Sequence, residues 1–382
     1  MRRISLLIIS ISFFSITNLF ALNLPAYPFE FAYSLYSGDK VGEVNNFLHV
    51  NAGVRFEIIK FMYFDLFFKG NLLFNIDNQK GVSFEIEKDE NNSFFNASLN
   101  FPSIMGKRIS LSLFLGRYDA LGSDSILKEY IKSSAASPLF MKHYPANVFR
   151  PDLDIKGAGV ALYGATQGGL YTGFYSYWNM KPDDNFIYAN DFRFGFAYST
   201  FSFETFISFL AKKIADDFRM RLGIMGSVKI EDYELFFEMG FAKLAPHKLS
   251  LKEINSQFYV LFEPRIKKRL FNISTSFFMA SPFQLPKDLN NNNLNSIHFL
   301  GLNVLLGFGN LEEHKINGGI SILTAINILD VTEITPFTFS LAPFITVATS
   351  KLEFDFRIPI NPLLYKNLRR AITAQFSMKA AY

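Results

Sequence analysis

The chain has no cysteine, one tryptophan and five histidines among its 382 residues. Without cysteine there is no disulfide framework, no thiolate metal site, no cysteine nucleophile and no lipid-modified N-terminal cysteine. The histidines, His49, His143, His247, His298 and His314, stand at least sixteen residues apart, which excludes a His-x-x-x-His metal pair. Charge of neither sign dominates. The 38 Lys+Arg against 34 Asp+Glu leave +4, and no compact basic patch is interleaved with aromatics, so nucleic acid is not an expected partner. Only 19% of residues are charged, yet beyond the N-terminal segment no run reaches the roughly 18 apolar residues of a membrane-spanning helix. What the chain has in excess is phenylalanine, 46 of them. Apolar surface on that scale has to be placed some other way.

The first residues read as an export signal. Met1-Arg2-Arg3 supplies a positive start, Ile4 to Ile16 an apolar stretch broken only by serines, and Thr17-Asn18-Leu19-Phe20-Ala21 a polar cleavage region. Residues 1–21 are therefore expected to be a signal peptide cleaved near Ala21, and 22–382 the exported chain.

From there the apolar residues recur with period two, the mark of a strand with one apolar face, and not with the 3.6 period of a helix. Val50, Ala52, Val54, Phe56 and Ile58 oppose His49, Asn51, Gly53, Arg55 and Glu57. Phe64, Leu66, Phe68, Leu72 and Phe74 oppose Asp65, Lys69, Asn71 and Asn75. The rule repeats at Phe192, Phe194 and Phe196 against Asp191, Arg193 and Gly195, and at Leu222, Ile224 and Val228 against Arg221, Gly223 and Ser227. It holds again at Leu352, Phe354 and Phe356 against Glu353, Asp355 and Arg357. Many runs are long enough for a tilted strand to cross a bilayer, which takes about 9 to 11 residues. Charges and amides on the second parity would be costly in a dry core. Apolar side chains toward lipid and polar ones toward a wet interior predict an all-β, transmembrane antiparallel β-barrel in a bacterial outer membrane.

Connections alternate in length, as short periplasmic turns and longer extracellular loops would. Tight ones fall near Lys60-Phe61, Thr166-Gln167-Gly168, Ser199-Thr200, Glu231-Asp232, Lys267-Lys268-Arg269 and Thr349-Ser350; the longest interruption runs from Tyr118 to Leu153. The count is about 18 strands (16–18), with residues 81–101 taken as one long strand. Its apolar parity slips from even at Val82, Phe84 and Ile86 to odd at Phe95, Ala97, Leu99 and Phe101. The last strand alternates through Ile372, Ala374, Phe376, Met378 and Ala380 to a terminal Tyr382. Phe376, Met378 and Tyr382 look like the C-terminal signal that the barrel assembly machinery reads.

Catalytic chemistry is not evident. His49 shares its parity with Asn51, Arg55 and Glu57 but has no serine motif beside it, and the glycine pairs lack the spacing of a phosphate-binding loop, so neither an enzyme nor a cofactor or metal is expected. The 118–153 loop is the segment of greatest functional interest. A fold of this loop into the bore would place Lys128, Glu129, Lys132, Lys142, His143 and Arg150 around a constriction; a loop lying on the outer surface is the equal alternative.

Leu115-Gly116-Arg117-Tyr118, a long loop with Pro138, Pro145 and Pro151, then Asp154-Ile155-Lys156-Gly157-Ala158-Gly159-Val160 and Tyr171-Thr172-Gly173-Phe174-Tyr175 follow one another. Over roughly 108–179 this order resembles bacterial outer-membrane porins, and in outline the phosphate-selective porin family. The resemblance implies a pore narrowed by an inward loop, with basic residues selecting anions. The inner-parity charges do not follow that pattern. Arg55, Lys69, Arg193, Arg219, Arg221, Lys229, Lys351, Arg357 and Lys379 are nine, and Glu57, Asp65, Asp191, Glu204, Glu234, Glu238, Glu263, Glu353 and Asp355 are also nine. Phosphate selectivity is therefore not expected. The pore-lining candidates are Arg55, Glu57, Asp65, Lys69, Arg193, Arg219, Arg221, Lys229, Lys351, Glu353, Asp355 and Arg357. The favoured expectation is a porin-like channel for passive diffusion of small hydrophilic solutes or ions, with outer-membrane lipid and the assembly machinery as partners and homo-oligomers left open. A hydrophobic-substrate transporter of the fatty-acid type would need a plug, and only about seven residues separate Ala21 from the first strand near Phe29. A surface adhesin barrel is the third reading.

Overall fold

The computed structural model describes residues 29–37, 44–59, 62–77, 81–86, 94–102, 104, 109–119, 155–166, 168–179, 186–198, 200–212, 218–280, 299–311, 314–327, 337–349, 352–364, 371–372 and 374–380. They form β1 (Phe29–Ser37), β2 (Val44–Ile59), β3 (Met62–Asp77), β4 (Gly81–Ile86), β5 (Phe94–Phe101), β6 (Ile109–Asp119), β7 (Ile155–Ala165), β8 (Leu170–Asn179), β9 (Phe186–Ala197) and β10 (Phe201–Lys212). There follow β11 (Phe218–Ile230), β12 (Tyr233–Leu244), the short helix α1 (Leu251–Gln257), β13 (Phe258–Lys267), β14 (Phe271–Ala280), β15 (Phe299–Asn310), β16 (Ile316–Asn327), β17 (Phe337–Ala348), β18 (Leu352–Arg357) and β19 (Ala374–Ala380). Residues 1–21, expected to be a signal peptide, and most of the 118–153 stretch lie outside the described residues.

All ladders are antiparallel and, apart from the closing pair β1–β19 and one further exception, join strands adjacent in sequence. β1 pairs with β2 along one edge and with β19 along the other, so the ladder returns to its start. That closure matters because an unpaired edge exposes a row of N–H and C=O groups with no partner in an apolar surround.

The further exception is β3. Its C-terminal part pairs with β4 (Leu72↔Ile86) and its N-terminal part with β5 (Lys69↔Phe94). Three steps along β3 thus face eight along the opposite chain, an excess of five residues. An odd excess flips the side-chain parity, as a one-residue slip would. This is the physical reason the apolar positions change from even in β4 to odd in β5.

Burial follows the period-two pattern, but inside out relative to a soluble sheet. On β9, Asp191 and Arg193 are 0% and 1% exposed while Phe192 and Phe194 between them are 44% and 45% exposed. Tyr171, Tyr175 and Tyr177 on β8 are buried, and Leu170, Phe174 and Trp178 are exposed. The large apolar side chains of Phe68, Leu115, Leu162, Ile224, Phe262, Phe277, Leu300 and Ile345 stand on the outer face in the same way.

Connections at one end of the ring are short. Two residues separate β2 from β3 and β11 from β12, and three separate β9 from β10, β13 from β14 and β17 from β18. Close approach also fixes the backbone at Gly116, whose φ of +100° suits only glycine and where a Cβ would stand 1.8 Å from the Phe95 carbonyl oxygen. The Glu231-Asp232 hairpin is tighter than its residues prefer, since Glu231 has φ of 49°, a left-handed conformation that costs an L side chain about 1–2 kcal/mol. Glu231→Gly is expected to raise stability by about 1 kcal/mol, read as a higher urea midpoint for the lipid-refolded protein; an unchanged or lower midpoint would contradict the strain.

Candidate functional site: the charged inner face

Opposite charges meet on the buried face because the register sets them in neighbouring rows. Gly195 of β9 faces Glu204 of β10, and Arg193 lies one inward position along β9 from it. Arg193 reaches the carboxylate with two parallel bonds, Nε to Oε1 at 2.9 Å and Nη2 to Oε2 at 2.8 Å, both side chains fully buried. Tyr171 crosses the space left by Gly195, where a Cβ would meet its hydroxyl at 2.5 Å, and donates to Glu204 Oε2 at 2.7 Å. Asp191, Ser208 and Arg221 fall in a second row across β9, β10 and β11. Arg221 donates through Nη2 to Asp191 Oδ2 at 2.9 Å and to the Tyr177 hydroxyl at 2.7 Å, and through Nε to Ser208 Oγ at 2.9 Å. The Tyr177 hydroxyl in turn donates to Asp191 Oδ2 at 2.7 Å.

Similar groupings occupy the rest of the wall. Arg265 on β13 binds Glu263 (Nη2 to Oε1, 2.6 Å) and Glu234 (Nη1 to Oε1, 2.8 Å); Lys267 adds a bond to Glu234 at 3.0 Å and Ser276 one to Glu263 at 2.5 Å. Arg55 and Asp65, directly opposite on β2 and β3, pair twice at 2.7 and 2.9 Å. A chain of polar contacts then runs from Asp65 through Asn100, Ser112 and Tyr163 to Tyr118. On β18, Arg357 holds Asp355 at 2.6 Å and stacks over Phe344, while Thr346 donates to the same carboxylate at 2.7 Å. These are two-sided pairs with their remaining lone pairs satisfied, the condition under which buried charge is tolerated.

No family model matches the chain, and no curated protein matches it. Solved structures do. Salmonella typhi OmpF in complex with daunomycin is 8% identical, with 94% of this chain and 97% of that one covered at a TM-score of 0.43. Pseudomonas aeruginosa OccK5 (OpdH) is 8% identical over 94% and 97%, with a TM-score of 0.49, and Acinetobacter baumannii OccAB4 is 9% identical over the same shares, with a TM-score of 0.48. These overlaps are shallow, and the functional reading rests on the chain's own ladder and side chains.

The residues nominated from the sequence separate into groups. Arg55, Asp65, Arg193, Arg221, Asp355 and Arg357 are brought into the ion pairs above. Arg219 is half-buried on β11, and Glu353 is half-buried opposite Lys379 and Ala348. Glu57 and Lys229 are exposed near strand ends, opposite Tyr63 and Glu234. Lys69 sits in β3 opposite Asn51 and Phe94. Phe376 and Met378 lie in β19, facing Phe356 and Phe354 of β18. Lys351, Tyr382 and the loop candidates Lys128, Glu129, Lys132, Lys142, His143 and Arg150 lie outside the described residues.

Two features differ from the sequence expectation. The charged parity is not a row of free, wetted side chains: Arg193 and Arg221 are 1% and 2% exposed because each is covered by a carboxylate and tyrosine rings. On β11, Asp191 neutralises Arg221. The inward tyrosines were also not nominated. Their signal is in the sequence, because Tyr171, Gly173, Tyr175 and Tyr177 share one parity while Phe174 and Trp178 take the other.

Glu204→Gln would leave a buried guanidinium without its counter-charge and is expected to lower stability by about 3–5 kcal/mol. The double variant Arg193→Met with Glu204→Leu should lose clearly less, as urea unfolding of the refolded protein would show. Equal losses in both would mean that the pair adds nothing beyond packing.

Proposed function

We propose that this chain is an outer-membrane β-barrel channel for passive diffusion of small hydrophilic solutes, exported with residues 1–21 as signal peptide. The observation that carries the reading is the inverted burial: a ladder that closes on itself, large apolar side chains exposed outside, and paired ions and tyrosines inside. Water offers no reason to expose Phe192, Phe194, Phe262 and Phe277, whereas hydrocarbon does. With β4 and β5 counted as one interrupted strand, the barrel has eighteen strands and both ends of the chain on the side of the short turns, which is the periplasmic side. A barrel of 16 to 18 strands encloses an aqueous channel. Phe376, Met378 and Tyr382 form the signal for the barrel assembly machinery.

In this reading the wall works by geometry and charge. Arg55–Asp65, Arg193–Glu204, Arg221–Asp191 and Arg357–Asp355 line the pore, each arginine held flat against the wall by its own carboxylate. Side chains tied down in this way do not extend into the bore, and the wall presents no ladder of one sign. The channel therefore sorts solutes chiefly by size, with residues 118–153 as the outer loop that narrows it. Glu57, Lys69, Arg219, Lys229, Lys351 and Glu353 complete the lining toward the strand ends.

Single-channel recording of the refolded mature protein in a planar bilayer tests this reading. Discrete, ohmic steps in KCl are expected, with a reversal potential near zero under a KCl gradient. A folded barrel that inserts and passes no current would overturn it.

A further inference from the structure

On the wall formed by β6, β7 and β8 the apolar outer face is interrupted. The outward positions of β7 run Val160, Leu162 and Gly164, and the last of these carries no side chain. Its partners across the two ladders are Ile109 of β6 and Thr172 of β8, both also on the outward parity. One row deeper, Leu162 faces Phe174, and both are exposed on the outside. Toward the short-turn end the chain reverses between Thr166 and Leu170, where Thr166 N donates to the Leu170 carbonyl at 2.7 Å. Between that turn and the Leu162–Phe174 row lies a groove of about 250 Å³, with Ile109, Gly164, Leu170 and Thr172 in its lining. Gly164 is not among the glycines with positive φ, which are Gly116, Gly169 and Gly309, so no left-handed backbone calls for a glycine there. A strand glycine of this kind marks a place where something approaches the backbone closely.

The lining decides what fits. No charged residue takes part in it. Thr172 Oγ1 donates to the Arg193 carbonyl at 3.2 Å, and Thr166 Oγ1 accepts from Leu170 N at 3.3 Å, so both hydroxyls are engaged by backbone. A lipid headgroup or a polar solute would find no counter-charge, whereas a methylene chain finds Ile109 and Leu170, each 41% exposed. The groove is also continuous with the outward apolar face of Leu113, Leu162 and Phe174, so whatever covers that face reaches into it. Left empty, it would forfeit the dispersion contacts of its open side.

We propose that this groove seats one acyl chain of a phospholipid from the leaflet on the short-turn side, with Gly164 as its floor and Ile109 and Leu170 as its walls. The inference rests on the reading that places the outward face in lipid. Photolabelling of the full-length refolded protein in phosphatidylethanolamine bilayers, a fraction of the lipid carrying a diazirine on one acyl chain, tests it. The references are Phe194, next along the same row, and Leu113, deeper on β6, which are as exposed as the groove walls, at 45% each. Label at Ile109 and Leu170 is expected to be about threefold denser than at these two, the scale that a handful of extra dispersion contacts gives. Gly164→Leu fills the groove and should bring Ile109 and Leu170 down to the reference level, while Phe194 and Leu113 stay as labelled as in the wild type. Equal density at all four positions of the wild type, or an enrichment that survives Gly164→Leu, would overturn the acyl-chain site and keep the lipid-facing reading. Protection of Ile109 and Leu170 in a cross-linkable dimer would give the groove to a second copy and overturn the site as well. Absence of label from every outward position would remove the lipid-facing reading and the site with it.

Discussion

Backbone N–H and C=O groups surrounded by hydrocarbon have no water to fall back on, so a sheet there must supply every partner itself. In the outer-membrane channel we propose, the rest of the structure depends on that constraint. It requires the pairing of β1 with β19, and once the ladder is closed each strand has an outside and an inside that its residues share by parity. Phe and Leu take one side and Arg, Asp, Glu and Tyr the other because the two surroundings differ, and the short hairpins keep the register from slipping.

Closure also decides the electrostatics. An arginine on an isolated strand would extend into water, whereas on this wall it finds an acid one or two strands away or two residues along its own strand. Arg193 with Glu204 and Arg221 with Asp191 use neighbouring rows of the same three strands, and Tyr171 and Tyr177 fill the remaining lone pairs. Glycines make room for the rings: Gly195 beneath Tyr171 and Gly240 beneath Tyr259 are places where a Cβ would collide. The ion pairs of the wall are therefore satisfied units.

The period-two pattern was legible residue by residue, since a strand's parity is a local property. Phe192, Phe194 and Phe196 against Asp191 and Arg193 needed no neighbour to be read. The odd slip between Ile86 and Phe94 was also visible, and the excess of five residues facing β3 explains it. The pairing of charges was not legible. That Asp191 meets Arg221 while Arg219 stands one step away depends on the register of three strands, which no single segment encodes.

The central claim is that the outward parity lies in lipid. Because the chain has no cysteine, single cysteines can be placed at consecutive positions of β10 from Thr205 to Phe209 and spin-labelled in bilayers. The account predicts that collision with oxygen, which concentrates in hydrocarbon, peaks with period two at 205, 207 and 209 and falls at 206 and 208. Peaks at 206 and 208, or no alternation at all, would contradict it.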